Sequence, residues 1–297
     1  MLKNKKLAII FSIIAMLLWG SAIPTIKTTY LELGIGAYDT GEKIEIAGIR
    51  FFLAGLITLV YFLLFDRKTK DFKKLNWKFV IVLGLLQTTF QYIFYYIGLS
   101  NTLGVKSSII QASNSLIVVV LSTFLLPEDK INPKMITALI LGSLGILVSN
   151  SAGAIDAGFK LNGEGFIIIS TIINALCTIL VRKYGRKENP YLLTGIQFLI
   201  GSVFMIILGY SMAGFDFDFT FKAIGLLVYA SFISATAFTI WTLVLKYHSA
   251  NEFSIYKLFI PIFGSLLSVI FLGETFTLRL ALGMGLVLIS SLILNLS

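Results

Sequence analysis

Apolar stretches of about twenty residues recur ten times along this chain, and no other feature limits its fold so strongly. An α-helix rises about 1.5 Å per residue, so about twenty apolar residues cross the roughly 30 Å hydrocarbon core of a bilayer. The runs fall near residues 7–27, 45–65, 77–99, 104–126, 132–150, 164–183, 190–212, 222–245, 251–272 and 277–296. They are too long, and too uniformly apolar, for the alternating strands of a membrane barrel. The longest connections, near 28–44, 150–163 and 213–221, collect the Gly, Asp, Asn and Lys that the runs avoid. Of the 297 residues, 57% are hydrophobic and 13% charged, against about 25% charged in a soluble domain. Mean hydropathy is +0.91. A soluble fold of this size leaves too much surface wet to hide such a composition, which excludes cytosolic, secreted and disordered classes. The expected fold is an all-α integral membrane protein with ten transmembrane helices.

Lys3, Lys5 and Lys6 precede the first run, as in a signal peptide, but the run is long and lacks a small-residue cleavage site, so it reads as a retained helix. Basic residues set the orientation. With the N-terminus in the cytoplasm and ten alternating spans, the cytoplasmic side holds Lys3, Lys5, Lys6, Arg67, Lys68, Lys70, Lys73, Lys74, Lys78, Lys130, Lys134, Arg182, Lys183, Arg186, Lys187 and Lys246. The outer side holds only Lys43, Lys106, Lys160, Lys222 and Arg279. Both termini are therefore expected in the cytoplasm of a multi-pass protein of the cell (plasma) membrane. The net charge of +9 is mostly this bias, not a nucleic-acid surface.

A shift of 146 residues lays Leu121-Ser122-Thr123-Phe124-Leu125-Leu126-Pro127-Glu128 over Leu267-Ser268-Val269-Ile270-Phe271-Leu272-Gly273-Glu274, and Ser108-Ile109 over Ser254-Ile255. Identities are few, but the register runs without a gap from span 3 through span 5. Residues 1–150 and 151–297 then form two five-helix repeats within one membrane domain. An odd number of spans per repeat inverts the second copy, an architecture of secondary transporters whose substrate sites lie near the midplane.

Trp19-Gly20-Ser21 with Lys27 in span 1, Arg50-Phe51 in span 2, Pro261 in span 9 and Leu272-Gly273-Glu274 at its end, with Glu128 as first-half counterpart, resemble the drug/metabolite transporter superfamily, in its ten-helix EamA-type branch. The resemblance covers nearly the whole chain. The first copy departs from it: Ser115 stands opposite Pro261, and Leu126-Pro127-Glu128 replaces Leu-Gly-Glu. The resemblance implies a carrier for amino acids or similar metabolites, usually an exporter.

Charged groups inside spans are costly and become functional candidates. Lys27 and Arg50 lie toward the outer ends of spans 1 and 2, where they read as interface anchors with Glu45 or Glu274 as partner. Lys257, about six residues into span 9, shares a helical face with Phe253, Pro261, Gly264 and Ser268. Either it faces a binding cavity or it snorkels back to the headgroups. Pro261, one turn on, is a candidate hinge. Gln111, the counterpart of Lys257, shares a face with Ser108, Ser115 and Ser122. Span 3 adds Gln87, Gln91 and Tyr95 at successive spacings of four, and span 8 adds Ser234, Phe238 and Trp241. Gln amides face lipid at a cost, so they line a cavity or bond between helices. Asn174 and Gln197 are similar, weaker candidates. Trp19 and Tyr92 are candidate aromatic walls. The expected substrate-binding set is Lys257, Gln111, Gln91, Gln87, Tyr95, Trp241, Trp19 and Ser115, with spans 3, 4, 8 and 9 around the site.

No carboxylate stands deep in a span on this reading, since Glu45, Glu164, Glu252 and Glu274 fall near ends. A deep positive charge favours a substrate carrying a carboxylate, such as an amino acid. The same pattern offers no obvious proton-carrying carboxylate, so a proton, another coupling ion and uniport all stay open. Carriers for phosphorylated metabolites or nucleotide sugars need several converging basic groups, and carriers for organic cations need a buried acid. A membrane-embedded enzyme needs clustered acids, bases or metal ligands. Cys177 and His248 are the only residues of their kinds, which argues against disulfides and metal sites, and no cofactor motif is present.

Overall fold

A computed structural model describes residues 2–36, 38–66, 74–101, 110–111, 113–126, 131–150, 159–272 and 278–295. The order is α1 (Lys5–Glu32), α2 (Thr40–Phe65), α3 (Trp77–Leu83, π-helical Gly84–Phe90, then Gln91–Asn101), α4 (Asn114–Leu125) and α5 (Pro133–Asn150). It continues with α6 (π-helical Leu161–Gly165, then Phe166–Tyr184), α7 (Pro190–Ala213), α8 (Phe221–Tyr247), α9 (Ala250–Ser254, 3-10 Ile255–Leu258, then Phe259–Leu272) and α10 (Leu278–Asn295). The described residues contain no strand.

Among the described residues, seven stretches are long and apolar enough to cross a membrane: Lys5–Glu32, Thr40–Phe65, Trp77–Leu99, Leu161–Lys187, Pro190–Ala213, Phe221–Tyr247 and Glu252–Phe271. Shorter apolar helices, Asn114–Leu125, Pro133–Gly145 and Ala281–Ser290, occupy the other three predicted runs. The first part of the predicted span 104–126 lies outside the described residues, as do Lys106, Ser108, Pro127, Glu128, Gly273 and Glu274.

Short polar residues start the helices. Asn4 Oδ1 accepts from the backbone N–H of Lys6 and Leu7, and Asn189 Oδ1 from those of Tyr191 and Leu192 ahead of α7, whose first residue is Pro190. Apolar residues at spacings of three and four, such as Ile10, Ile14 and Leu17 on α1 and Leu56, Val60 and Leu63 on α2, stay exposed and form the surface that lipid covers.

With lipid as apolar as the side chains, helices associate through close packing. The long contact between α2 and α7 shows it. A Cβ added to Gly48 would stand 2.9 Å from the Ile206 nitrogen, and one added to Gly209 would stand 2.6 Å from the Cβ and nitrogen of Glu45. The other main pairings are α5 with α10, α1 with α8 and α9, and α6 with α3 and α4. At one end of the bundle, Lys5 pairs with Glu252 at 2.7 Å, His248 Nε2 meets the Leu2 carbonyl at 2.7 Å, and Asn189 Nδ2 donates to Asp66 at 2.6 Å. The start of α1, the end of α2, the start of α7 and the α8–α9 turn therefore share one face.

The predicted regular helix over 251–272 is broken. Pro261 has no N–H for the carbonyl four residues back, which belongs to Lys257. The chain tightens into the 3-10 turn Ile255–Leu258 before resuming as an α-helix. Lys257 thus sits on an irregular turn inside α9, not on a continuous helical face.

Candidate functional site

The 3-10 turn of α9 points Lys257 between α4, α6 and α8. Its Nζ donates to Asn174 Oδ1 at 2.9 Å, Thr178 Oγ1 at 3.0 Å and Asn114 Oδ1 at 3.1 Å. It also stands 5.1 Å from the centre of the Trp241 ring. An ammonium has three donors, and all three are given to neutral oxygens. The group is hydrogen-bonded, but among the described residues no carboxylate balances its charge. The tryptophan face adds a cation–π contact without neutralising it. The side chain turns inward, not back toward the headgroups.

The acceptors are held in turn. Asn114 Nδ2, at the start of α4, donates to the Thr171 carbonyl and to Asn174 Oδ1, both at 3.1 Å. Asn174 Nδ2 donates to Gln91 Oε1 at 3.1 Å, and Ser170 Oγ to the Gln91 carbonyl at 2.9 Å, which fastens α3 to α6. Ser115 Oγ donates to the Ser254 carbonyl at 2.7 Å, at the point where α9 leaves its first α-helical turn. Trp19 completes the wall, edge-on to Phe238 at 4.9 Å and to Trp241 at 6.1 Å. Gly20 allows this: a Cβ there would stand 2.9 Å from the Gly264 nitrogen, so α1 lies directly on α9. The indole nitrogen of Trp241 is buried without a partner.

Of the residues expected at the site, the structure brings Lys257, Gln91, Trp241 and Trp19 into one cluster, with Ser115 bracing the broken helix. Tyr95 hydrogen-bonds to Gln111, which is exposed, and packs against Tyr92 and Tyr96 in a neighbouring aromatic group. Gln87 is buried in the π-helical part of α3 and is not tied to the lysine. Pro261 stands one turn past Lys257, where α9 has resumed as an α-helix. The expected ring of spans 3, 4, 8 and 9 lacked α6, which supplies Asn174, Thr178, Thr171 and Ser170. Asn114 was also missed. Small polar residues on α6 at spacings of three and four (170, 171, 174, 178) were the signal available in the sequence.

Two expectations are corrected. Arg50 is not an interface anchor paired with Glu45. It is only 4% exposed, and its Nε and Nη2 both donate to Ser234 Oγ, at 3.1 and 2.9 Å. Glu45 lies near the start of α2, as expected, but its side chain is fully buried where α2 meets Gly209 of α7, and neither carboxylate oxygen has a partner. Their positions in the sequence placed both too close to water, because α2 begins inside the bundle. Lys27 is exposed, as an anchor would be.

The sequence profile of the EamA-like transporter family matches residues 6–151 and again residues 161–296. The chain belongs to the EamA-like transporter family. It is a multi-pass membrane transporter, and a small-molecule substrate and a lipid surround follow from that membership. An uncharacterized transporter of Bacillus subtilis (strain 168), YvbV, is 28% identical over 282 residues, covering 94% of this chain and 88% of that protein. An uncharacterized transporter of Archaeoglobus fulgidus is 26% identical, covering 91% and 92%. A WAT1-related chloroplastic protein of Arabidopsis thaliana is 26% identical, covering 93% of this chain and 66% of its own length. A solved crystal structure shares the fold with a TM-score of 0.82 at 17% identity, over 99% of this chain and 98% of that one.

Proposed function

We propose that this transporter is a secondary carrier that moves an amino acid, or a similar small carboxylate-bearing metabolite, across the cell membrane by alternating access, working as an exporter. The observation that carries this reading is the Lys257 ammonium, held inside the bundle by Asn114, Asn174 and Thr178 with no acidic partner among the described residues. A partly buried cation surrounded by neutral oxygens attracts a carboxylate, and that pairing is stronger than the neutral hydrogen bonds it displaces. The Trp241 and Trp19 faces supply a surface for the substrate's ammonium or side chain.

The two-repeat, ten-span architecture is part of the proposal. The family profile matches the chain twice, in halves that agree with 1–150 and 151–297. The helix pairings also exchange: α1 packs on α8 and α9, and α6 packs on α3 and α4. Those are the same contacts once each helix is replaced by its partner five places along. Both termini lie in the cytoplasm on this reading, supported by the basic residues gathered on that side.

The test is counterflow in proteoliposomes with aromatic, aliphatic and polar amino acids, one sugar phosphate and one quaternary ammonium. Saturable movement of an amino acid that Lys257→Met abolishes, in a variant that still inserts and unfolds cooperatively, is the expected result. Movement of only the quaternary ammonium, or unchanged transport by Lys257→Met, sinks the reading.

A further inference from the structure

The stretch leading into α1 folds back against the bundle. Leu2 is buried and joins the same apolar core as Ala250 and Phe253 at the start of α9. Its carbonyl meets His248 Nε2 at 2.7 Å in the α8–α9 turn. A carbonyl only accepts, so that ring nitrogen is the donor. The His248 ring in turn lies 4.7 Å from the Phe253 ring, with 31° between their planes. Lys3 Nζ stands 5.8 Å from the centre of the Tyr247 ring, and Lys5 pairs with Glu252 at 2.7 Å. The strap from Leu2 to Lys5 therefore reaches the end of α8, the turn and the first turn of α9.

That first turn leads straight to Lys257. Ser249 Oγ accepts from the Glu252 N–H at 3.4 Å and starts α9, and Lys257 follows on the 3-10 turn five residues past Glu252. On the side of α4, Ser115 holds the Ser254 carbonyl. On the side of α6, Thr178 accepts from Lys257, and Cys177, the residue before it, is buried and feels the lysine's charge. Movement of the first turn of α9 away from α6 would uncover Cys177.

The strap is built to let go. The Lys5 and Glu252 side chains are 46% and 27% exposed, so water can take over their ion pair. An exposed ion pair and a single hydrogen bond each bias an equilibrium about fivefold or less. Lifting the strap bares one buried apolar side chain, Leu2. The α2–α7 contact is the opposite case, with helix backbones pressed together at Gly48 and Gly209.

We infer that residues 2–5 form a strap that locks the first turn of α9, and that its release is a step in opening the Lys257 cluster to the face of the membrane that carries the strap. This inference rests on the alternating-access reading above.

Cys177 is the only cysteine in the chain and serves as the reporter. A charged, membrane-impermeant methanethiosulfonate is added to the strap-bearing face of vesicles holding the full chain, and the rate of Cys177 modification is followed by mass. Lys5→Glu sets two acids against each other, while an acid suits the first turn of α1. Modification should speed up about fivefold. His248→Phe keeps a ring against Phe253 but loses the donor, and should speed it by a similar factor. Lys5→Glu combined with Glu252→Lys restores opposite charges and should bring the rate back to that of the natural chain. Unchanged rates in both single variants overturn the strap. So does acceleration that is equal from the opposite face, which would report general loosening. No substrate is added, so the strap can hold or fail independently of whether an amino acid is carried.

Discussion

Asn174 joins Lys257 to Gln91: its Oδ1 accepts from Lys257 Nζ at 2.9 Å while its Nδ2 donates to Gln91 Oε1 at 3.1 Å. One amide on α6 therefore sets the position of a cation on α9 against a side chain on α3. Changing its charge tests what the cation is for. Asn174→Asp places a fixed carboxylate against the ammonium and competes with any anionic substrate. A hydrogen bond to a charged group contributes about 1.5–3 kcal/mol, so affinity for a carboxylate substrate falls about ten- to a hundredfold. Counterflow at a series of substrate concentrations reads this as a raised half-saturation point. An unchanged half-saturation point means that the substrate does not pair with Lys257.

Gln91→Leu leaves the Asn174 Nδ2 without its acceptor inside the bundle, whereas Lys27 is exposed and away from the cluster. Transport in proteoliposomes should fall more for Gln91→Leu than for Lys27→Met. The reverse order would move the substrate's position to the outer ends of α1 and α2.

Pro261→Ala restores the N–H that the Lys257 carbonyl lacks. The 3-10 turn at Ile255–Leu258 should extend as α-helix and swing Lys257 off its three acceptors. Transport should drop of the order of tenfold or more, as it does when a binding group is displaced by about 1 Å, with thermal stability held or raised. A variant that is less stable yet transports normally would mean that the break does not position the lysine.

Gly209→Ala and Gly225→Ala should differ in sign. The first drives a methyl to 2.6 Å from the Glu45 backbone, whereas nothing stands within 4 Å of a Cβ at Gly225. Overpacking costs about 1–3 kcal/mol at Gly209, while helix propensity gains up to about 1 kcal/mol at Gly225. Unfolding midpoints in detergent compare the two directly.

Glu45→Gln keeps the shape of a side chain whose oxygens have no partner and removes its ionisable group. Stability should stay within about 1 kcal/mol of the natural chain or rise, because no ion pair is lost. A loss of several kcal/mol in the same unfolding assay would mean that the folded protein balances this carboxylate with a positive charge.

The helices were legible in the sequence because bilayer thickness demands a length and an apolarity that single runs display. Lys257 stood out because a charge inside such a run is rare. Two of its acceptors did not: Asn114 and Thr178 are ordinary in a helix, and only the folding of α4 and α6 against the broken turn gives them a role. Arg50 and Glu45 were misplaced for a related reason. Distance from a helix end measures depth only if that end reaches water, and α2 is already buried at Gly41 and Lys43. The proline was visible, but its effect on the carbonyl of Lys257 follows from the four-residue offset of helical bonding rather than from its presence alone.

Ser115 and Ser254 lie in different halves of the chain, and the bond from the Ser115 hydroxyl to the Ser254 carbonyl crosses between them. With the first turn of α9 leaning on α4 there, these two segments travel as one strut. The rocking proposed above has to swing that strut intact or unlatch both this hydroxyl and the Lys257–Asn114 bond beside it. On the proposed two-repeat reading, the mechanical seam then runs across the two halves and not between them.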